Sequence, residues 1–232
     1  FVRNFETKIS HLLKVKYVVA ATSGTSSIFL ALKASGVKRG DEVIVPNITF
    51  VATANAVNLT GAKVILVDVD KKNLSIDLQS LKKCITKKTK AIIPVHISGR
   101  SGNLLQILKF AKKKKIKVIE DAAEAMFSKY KEKFLGTYGD CGCYSFSPNK
   151  IINSGQGGMI ITNNKNINDN LKKLKDQGRL IRGSGGDDKH EFIGYNFKTA
   201  CSILFLISLI ILFKYNVSKH LSIFITFKKS DD

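Results

Sequence analysis

Between residues 17 and 199, short runs rich in β-branched residues alternate with segments whose apolar residues recur at helical spacing. The runs predict strands over 17–21, 42–45, 63–69, 91–95, 116–120, 141–147 and 158–162. The intervening segments predict helices over 26–34, 51–59, 77–84, 104–114 and 167–176. This alternation indicates an α/β fold, a mostly parallel sheet between helices. Because ligands of such sheets bind beyond the carboxyl ends of the strands, those ends are the place to look for chemistry.

Lysine and asparagine dominate the polar residues, and the chain carries a formal net charge of +20. The lysines lie mostly on the polar sides of the predicted helices, and the 232 residues include no tryptophan. A nucleic-acid-binding surface would instead cluster basic side chains, often with aromatic residues between them. We therefore attribute the charge to a compositional bias and expect no nucleic-acid partner. Attraction to anionic small molecules or membrane surfaces is a weaker alternative that stays open.

The four cysteines show neither metal-site spacing nor the density of a disulfide scaffold. No Cys-x-x-Cys pair is present and the four histidines are scattered, so we expect no metal site. Cys141 and Cys143 are two residues apart in a predicted strand, so they share one face as buried small hydrophobes. This usage fits a reducing cytoplasm. The amino terminus has no signal-peptide pattern and no initiator methionine, so we expect a cytoplasmic protein and, in this chain, a fragment.

A first candidate site follows the first predicted strand, where residues 22–26 read Thr-Ser-Gly-Thr-Ser and begin a helix. Glycine lets a ligand approach the backbone, and the first N–H groups of a helix attract anions, so this segment could hold a phosphate. The alternative is an ordinary Ser/Thr helix cap after a tight turn. The Gly-Lys-Ser/Thr of a Walker loop is absent.

A second candidate is the acidic pair Glu120 and Asp121, at the end of the apolar strand that contains Val118 and Ile119. Carboxylates at a buried strand end are costly unless a partner compensates them. One of them could hold a protonated ring nitrogen, and the alanines that follow would admit a flat ring. The alternative is an acid that caps the next helix.

The third candidate is Lys150, which follows a strand in Ser-Phe-Ser-Pro-Asn-Lys (145–150) and precedes the glycine-rich turn 155–158. A lysine in a desolvated pocket loses its proton more readily and can attack carbonyl carbons. The alternative is one more exposed lysine. A phosphate cradle, a strand-end aspartate and a pocket lysine together are the three groups that hold pyridoxal 5′-phosphate, and the lysine forms a Schiff base with its aldehyde.

In order and spacing, these motifs resemble those of the DegT/DnrJ/EryC1/StrS sugar aminotransferases, in particular the perosamine-synthase-like members. The resemblance covers nearly all of residues 5–199 and rests on the segments 21–25, 40–46, 49–56, 94–96, 120–123, 145–150 and 176–179. It implies the large domain of a type I, aspartate aminotransferase-like fold at 1–199, with the small C-terminal domain missing.

The resemblance also implies a role for each matching residue. Lys150 would bind the cofactor covalently and move protons, and Asp121 would pair with the pyridine nitrogen. The remaining expected contacts are Glu124 near the ring hydroxyl, where the family often has Gln, Phe50 stacked on the ring, Gly24, Thr25 and Ser145 on the phosphate, and Asn196 on the phosphate of a partner subunit. His96 matches a position in the wall of the substrate pocket, with a structural strand-end histidine as an equal alternative.

The implied reaction transfers an amino group from glutamate to a nucleotide-linked 4-keto-6-deoxy sugar, for surface polysaccharides or related glycans. Family members that dehydrate have a histidine in place of Lys150, so its presence favours transamination. The implied assembly is a homodimer. The alternative is an inactive relative that only binds the cofactor.

The resemblance stops near Thr199, and residues 200–232 form an apolar and then basic tail. Its apolar run, 200–213, is shorter than the ~20 residues that a membrane-spanning helix needs. A short membrane segment and a buried helix remain alternatives. Because the run lacks an amphipathic period, we favour out-of-frame translation that replaced the small domain.

Overall fold

The computed structural model describes residues 1–179 and 193–199. The predicted tail, 200–232, therefore lies outside the described residues. Nine strands are present: β1 Tyr17–Ala21, β2 Glu42–Pro46, β3 Lys63–Val67, β4 Thr89–Ile92, β5 Lys117–Asp121, β6 Lys129–Tyr130, β7 Lys133–Phe134, β8 Cys141–Ser145 and β9 Gly158–Thr162. All seven predicted strands are confirmed, with ends displaced by up to three residues. The short hairpin β6–β7 is an addition that the sequence pattern did not predict.

Seven strands form one sheet in the order β1-β9-β8-β5-β4-β2-β3. The pairs β8–β5, β5–β4, β4–β2 and β2–β3 are parallel. Strand β9 is antiparallel to both of its neighbours, β1 and β8. Six strands therefore run in one direction, which confirms the predicted mostly parallel sheet.

In the described part of the chain, the sheet is accompanied by a short 3-10 helix, Ile97–Gly99, and six α-helices: α1 Val2–Leu13, α2 Gly24–Ala34, α3 Val51–Leu59, α4 Leu78–Cys84, α5 Leu104–Lys114 and α6 Lys165–Lys175. The helix α1 was not predicted, although its buried residues Phe5, Ile9 and Leu13 recur every four positions and form an apolar stripe. Helix α2 begins two residues earlier than predicted, because Ser23 caps it and accepts a hydrogen bond from Ser26 N–H.

The helices cover both faces of the sheet. On one face, α2, α3 and α6 pack on buried residues that include both Cys141 and Cys143, as predicted. On the other face, α1 packs around Tyr144 and Phe146, and α4 and α5 pack around Ile44 and Ile92. Burial raises the pKa of the Cys141 thiol to about 12, which keeps this sulfur protonated and unreactive.

This topology gives the sheet two distinct ends, which we call edges: one at the carboxyl ends of the parallel strands and one at their amino ends. The carboxyl ends of β1, β2, β4, β5 and β8 lie at one edge, where all three candidate motifs fall. The strands β2, β3, β4 and β5 begin at the opposite edge. Among the residues that the structure describes, no helix is long and apolar enough to cross a membrane.

Candidate active site

The turn between β1 and α2 lies directly against the end of β8. A Cβ atom added to Gly24 would be 2.8 Å from the Cβ of Ser145 and 3.2 Å from its Oγ. Only a glycine therefore fits at this contact without a shift of the neighbouring strand. The first N–H groups of α2, including those of Gly24 and Thr25, have no partner within the helix. The Ser145 hydroxyl lies beside them, 2.9 Å from that of Ser147, so N–H and O–H donors converge on a cradle for an anion.

The glycine-rich turn after Lys150 contacts the same cradle. A Cβ atom added to Gly158 would be 2.3 Å from the carbonyl oxygen of Ser23, the N-cap of α2. Gly157 accepts a hydrogen bond from the N–H of Phe146, which ties the turn to the segment that leads to Lys150. The backbone at Gly158 therefore approaches the backbone at the start of α2 closely.

Asp121 ends the buried strand β5 and is 5% exposed. Its Oδ2 accepts a hydrogen bond of 2.7 Å from the Thr53 hydroxyl, and its Oδ1 accepts one of 3.2 Å from Ala123 N–H. Burial raises the pKa of this carboxyl, while these hydrogen bonds and the charges of His96 and Lys150 oppose the shift. A cation placed against Asp121 would favour the ionised form further.

Lys150 lies near this carboxylate and forms an ion pair with Glu124. The Nζ of Lys150 is 3.3 Å from Oε1 of Glu124, and the lysine side chain is 13% exposed. The other oxygen of Glu124 accepts a hydrogen bond from the N–H of Ser98, whose backbone is left-handed. That hydrogen bond and the lysine charge lower the pKa of the Glu124 carboxyl. The lysine is therefore a partly enclosed amine with an anionic partner and not one more exposed lysine.

Glu120 and His96 form a separate, fully buried pair. The His96 Nε2 is 2.8 Å from Oε2 of Glu120. The Glu120 carboxylate also accepts hydrogen bonds of 2.6–2.8 Å from three backbone N–H groups, those of Gly136, Tyr138 and Gly139. These bonds offset the cost of burying a carboxylate. Because His96 is 2% exposed and bonded to Glu120, the geometry supports the structural alternative for this histidine.

Phe50 and Asn196, two of the residues predicted to contact the cofactor, are exposed. Phe50 precedes α3 and is 71% exposed, so its ring is free to cover a ligand at the edge of the site. Asn196 is exposed, and its backbone pairs with Asp176 after α6. Their predicted roles, in stacking and at a partner's phosphate, remain predictions.

Sequence reasoning missed Thr53, which is fully buried and donates to Asp121. A hydrogen bond of 2.8 Å joins Thr53 to Thr49 one helical turn earlier. The signal was the pair of threonines four residues apart at the start of a predicted helix, a spacing that places both hydroxyls on one face. The Ser98 N–H carried no such signal, because backbone groups of a loop leave no mark in the sequence.

The fold and the site show an α/β protein with a cradle of N–H and O–H donors, a buried carboxyl group and a partly buried lysine at the carboxyl ends of its parallel strands. The model of the DegT/DnrJ/EryC1/StrS aminotransferase family matches residues 1–204, so the chain belongs to this family.

Among curated proteins, the chain is similar to GDP-perosamine synthases. It is 41% identical over 198 residues to the enzyme of Escherichia coli O157:H7, a match that covers 85% of this chain and 54% of that protein. It is also 41% identical over 202 residues to the enzyme of Caulobacter vibrioides, covering 85% and 53%. The chain thus spans about half the length of these relatives.

Solved structures give the same picture. An aminotransferase from Psychrobacter cryohalolentis superposes with a TM-score of 0.87 at 31% identity, over 93% of this chain and 56% of that one. NtdA from Bacillus subtilis, solved with bound cofactor PMP, gives a TM-score of 0.82 at 33% identity, over 90% and 46%. These likenesses confirm the predicted fold class.

Proposed function

We propose that residues 1–199 are the pyridoxal 5′-phosphate-binding large domain of a sugar aminotransferase. The observation that carries this proposal is the convergence of the Gly24–Ser145 cradle, buried Asp121 and partly buried Lys150 at the carboxyl edge of one sheet. When bound, pyridoxal phosphate supplies an aldehyde for amine exchange and a protonated ring that withdraws electrons.

The residues of the site fit this cofactor. The cradle offers N–H groups of Gly24 and Thr25 and the hydroxyl of Ser145 to a phosphate, and a side chain at position 24 would fill it. Asp121 is held in place by Thr53 and would keep a ring nitrogen protonated. Exposed Phe50, at the start of α3, would cover the ring face.

Lys150, positioned by Glu124, would transfer the proton that moves during the reaction. The amine of Lys150 would hold the cofactor by condensing with its aldehyde, with loss of water. When the amine of a substrate takes its place, the freed amine would take up and return a proton at the substrate carbon. Glu124 would hold that amine within reach, because its second oxygen is anchored by Ser98 N–H. The ionised carboxylate would also lie next to the ring hydroxyl.

For the substrates, we propose glutamate as amine donor and a nucleotide-linked 4-keto-6-deoxy sugar as acceptor. Support comes from relatives whose names include a nucleotide-linked sugar. They are the GDP-perosamine synthases and, at 38% identity, a UDP-N-acetyl-3-dehydro-alpha-D-glucosamine 3-aminotransferase of Acidithiobacillus ferrooxidans. Products of this kind would be precursors of surface polysaccharides or related glycans, and we propose that the protein acts in the cytoplasm.

We propose a homodimer as the active assembly. Asn196 is exposed next to Asp176 and would lend its amide to the phosphate of the partner subunit. An Asn196→Ala variant mixed with a Lys150→Ala variant tests this directly. Shared sites would restore part of the activity in the mixture, whereas self-contained sites would leave it inactive.

Cofactor binding is tested by borohydride reduction of the chain after incubation with pyridoxal phosphate. We expect a single covalent adduct on Lys150, located by peptide mass spectrometry, and its loss in Lys150→Ala. Lys165 is exposed and bonded to Asp169, so Lys165→Ala is the matched control and should retain the adduct. Equal labelling of many lysines, or an adduct that survives Lys150→Ala, would refute the assignment.

The transfer itself is tested by adding glutamate to the loaded chain and measuring 2-oxoglutarate. Formation of one equivalent supports transamination. An adduct on Lys150 without 2-oxoglutarate would instead establish the alternative, a relative that binds the cofactor but does not transaminate.

A further inference from the structure

The sheet edge opposite the candidate site concentrates exposed basic side chains. Strand β2 follows Lys38 and Arg39, β3 begins at Lys63, β4 follows Lys87 and Lys88, and β5 follows the end of α5. We call this surface the basal edge. Its exposed members are Lys38, Arg39, Lys63, Lys82, Lys83, Lys87, Lys88, Lys112, Lys113, Lys114 and Lys115.

The acidic side chains of this region form hydrogen bonds or ion pairs with groups other than the side chains of the basal edge. Asp41 accepts a hydrogen bond from the N–H of Lys38, and Glu42 accepts one from the Thr86 hydroxyl. Asp140 pairs with Lys117 at 2.8 Å. Within residues 1–179 and 193–199, no ion pair involves a side chain of the basal edge. The eleven basic side chains of the basal edge therefore outnumber these three acids, and the surface keeps an excess of positive charge.

The carboxyl edge also carries basic residues, in the last turn of α6, but acids lie among them: Lys175 pairs with Glu6, and Lys198 with Asp176. Beyond β3, Asp68 and Asp70 directly precede Lys71 and Lys72. Asp77 caps α4 at the same end of the sheet, and Asp121 and Glu124 belong to the site. A compositional bias alone would have placed lysines evenly over the surface. The basal edge nevertheless holds more exposed basic side chains than acids, whereas basic and acidic residues lie together at the carboxyl edge.

Helix dipoles explain only part of this polarity. Cations are favoured in the last turn of a helix and anions in the first turn. Helices α4 and α5 do end in lysines at the basal edge, but none of the six α-helices has an acidic residue in its first turn. Lys38, Lys63, Lys87 and Lys88 lie in turns or at a strand start, where the dipole effect has faded.

The shape and chemistry of the basal edge favour a broad anionic partner. It is formed by the ends of strands and helices, so no helix or hairpin projects from it into a nucleic-acid groove. Ten of its eleven named members are lysines and only one is an arginine. Lysines act as hydrated point charges, which suits diffuse attraction to phospholipid headgroups.

We propose that the basal edge is a peripheral docking surface for an anionic phospholipid bilayer. Four or more clustered lysines suffice for such binding, and each lysine near the surface strengthens it by about fivefold. Because the basal edge and the candidate site lie at opposite ends of the same strands, the docked protein would keep its site open to the aqueous side.

The test is cosedimentation of the full 232-residue chain with lipid vesicles at about 50 mM and about 300 mM NaCl. Phosphatidylcholine vesicles with added phosphatidylserine are compared with pure phosphatidylcholine vesicles. The edge variant carries Lys→Gln at positions 87, 88, 112, 113 and 114. The control variant carries Lys→Gln at positions 71, 72, 129, 131 and 133, which are also exposed and give the same change in net charge.

We expect binding to the anionic vesicles alone, a steep loss at the higher salt, and at least a hundredfold weaker binding of the edge variant, with the control variant close to the parent. Should the edge variant unfold, a second one with Lys→Gln at positions 38, 63, 87 and 88 avoids every helix and should lose at least tenfold.

Several results would overturn the proposal. One is no binding to anionic vesicles at the lower salt, and another is an equal loss in edge and control variants, which would reflect net charge alone. Salt-insensitive binding that persists in the edge variant would place the contact in residues 200–232. Tighter binding to single-stranded RNA than to vesicles at equal phosphate concentration, lost in the edge variant, would assign the surface to nucleic acid.

Discussion

Replacing Gly24 by alanine should disturb the cradle in a way that can be measured. The added Cβ would lie 2.8 Å from the Cβ of Ser145, whereas carbon atoms in good contact are about 3.5–4.0 Å apart. The start of α2 or the end of β8 must therefore move by about 1 Å. Overpacking of this kind costs about 1–3 kcal/mol. The helix propensity of alanine returns less than about 1 kcal/mol at the first position of a helix.

We therefore expect Gly24→Ala to lower the free energy of unfolding by about 1–2 kcal/mol, measured by urea titration with far-UV circular dichroism. The same variant should capture pyridoxal phosphate less well on Lys150. The change in stability comes from a steric contact, so it should be the same in phosphate-free buffer.

A double-mutant cycle with Ser145→Gly isolates the contact. This second change removes the colliding Cβ, so the double variant should be more stable than the sum of the single changes predicts, by about 1 kcal/mol or more. Strict additivity, or a Gly24→Ala protein as stable as the parent, would show that the turn and β8 do not approach as closely as the structure places them.

Three further variants test the carboxyl groups at and next to the candidate site. Asp121→Asn should abolish cofactor capture yet raise the free energy of unfolding at pH 7. Because burial raises the pKa of Asp121, stability present below its ordinary pKa is lost as pH rises through the raised folded value. The difference in free energy of unfolding between Asp121→Asn and the parent, measured in urea, should therefore shrink toward about pH 4. A difference that does not change with pH would contradict this. Glu124→Gln removes the anionic partner of Lys150, so reductive methylation of that amine, followed by mass spectrometry, should become faster; an unchanged rate would count against the ion pair. Glu120→Gln places an amide NH2 against the N–H of Gly136 and should cost about 1–3 kcal/mol in urea unfolding, with a loss under about 0.5 kcal/mol as the contrary result.

Much of the sheet and of the site could be predicted because their signals are local. Strands such as Tyr17–Ala21 and helices such as Leu104–Lys114 appear at the predicted positions, since side-chain periodicity follows from backbone geometry. The residues at the strand ends converge because parallel strands share one carboxyl edge. Where the prediction was incomplete, as for α1 and the hairpin β6–β7, the segments were short or lay outside the alternating pattern.

Contacts between segments far apart in the chain could not be predicted from the sequence. The donation from Thr53 to Asp121 spans 68 residues, and the anchoring of Glu124 by Ser98 depends on the shape of a loop. The antiparallel direction of β9 likewise depends on which neighbours it joins. The sequence left two roles open for His96, a substrate-pocket wall and a structural histidine. The structural role is favoured by its bond to Glu120, which lies in a strand 24 residues further along the chain.

The sequence by itself determined the alternation of strands and helices, the order of the three motifs and the identity of Lys150 as the lysine with a chemical context. Only the tertiary structure decided that Gly24 contacts Ser145, that Asp121 is buried against Thr53, and that lysines from four separate connections lie at the same end of the sheet. The physical reason is range. Periodicity and capping act within a few residues, whereas burial and the summed field of many charges exist only once distant segments are packed together.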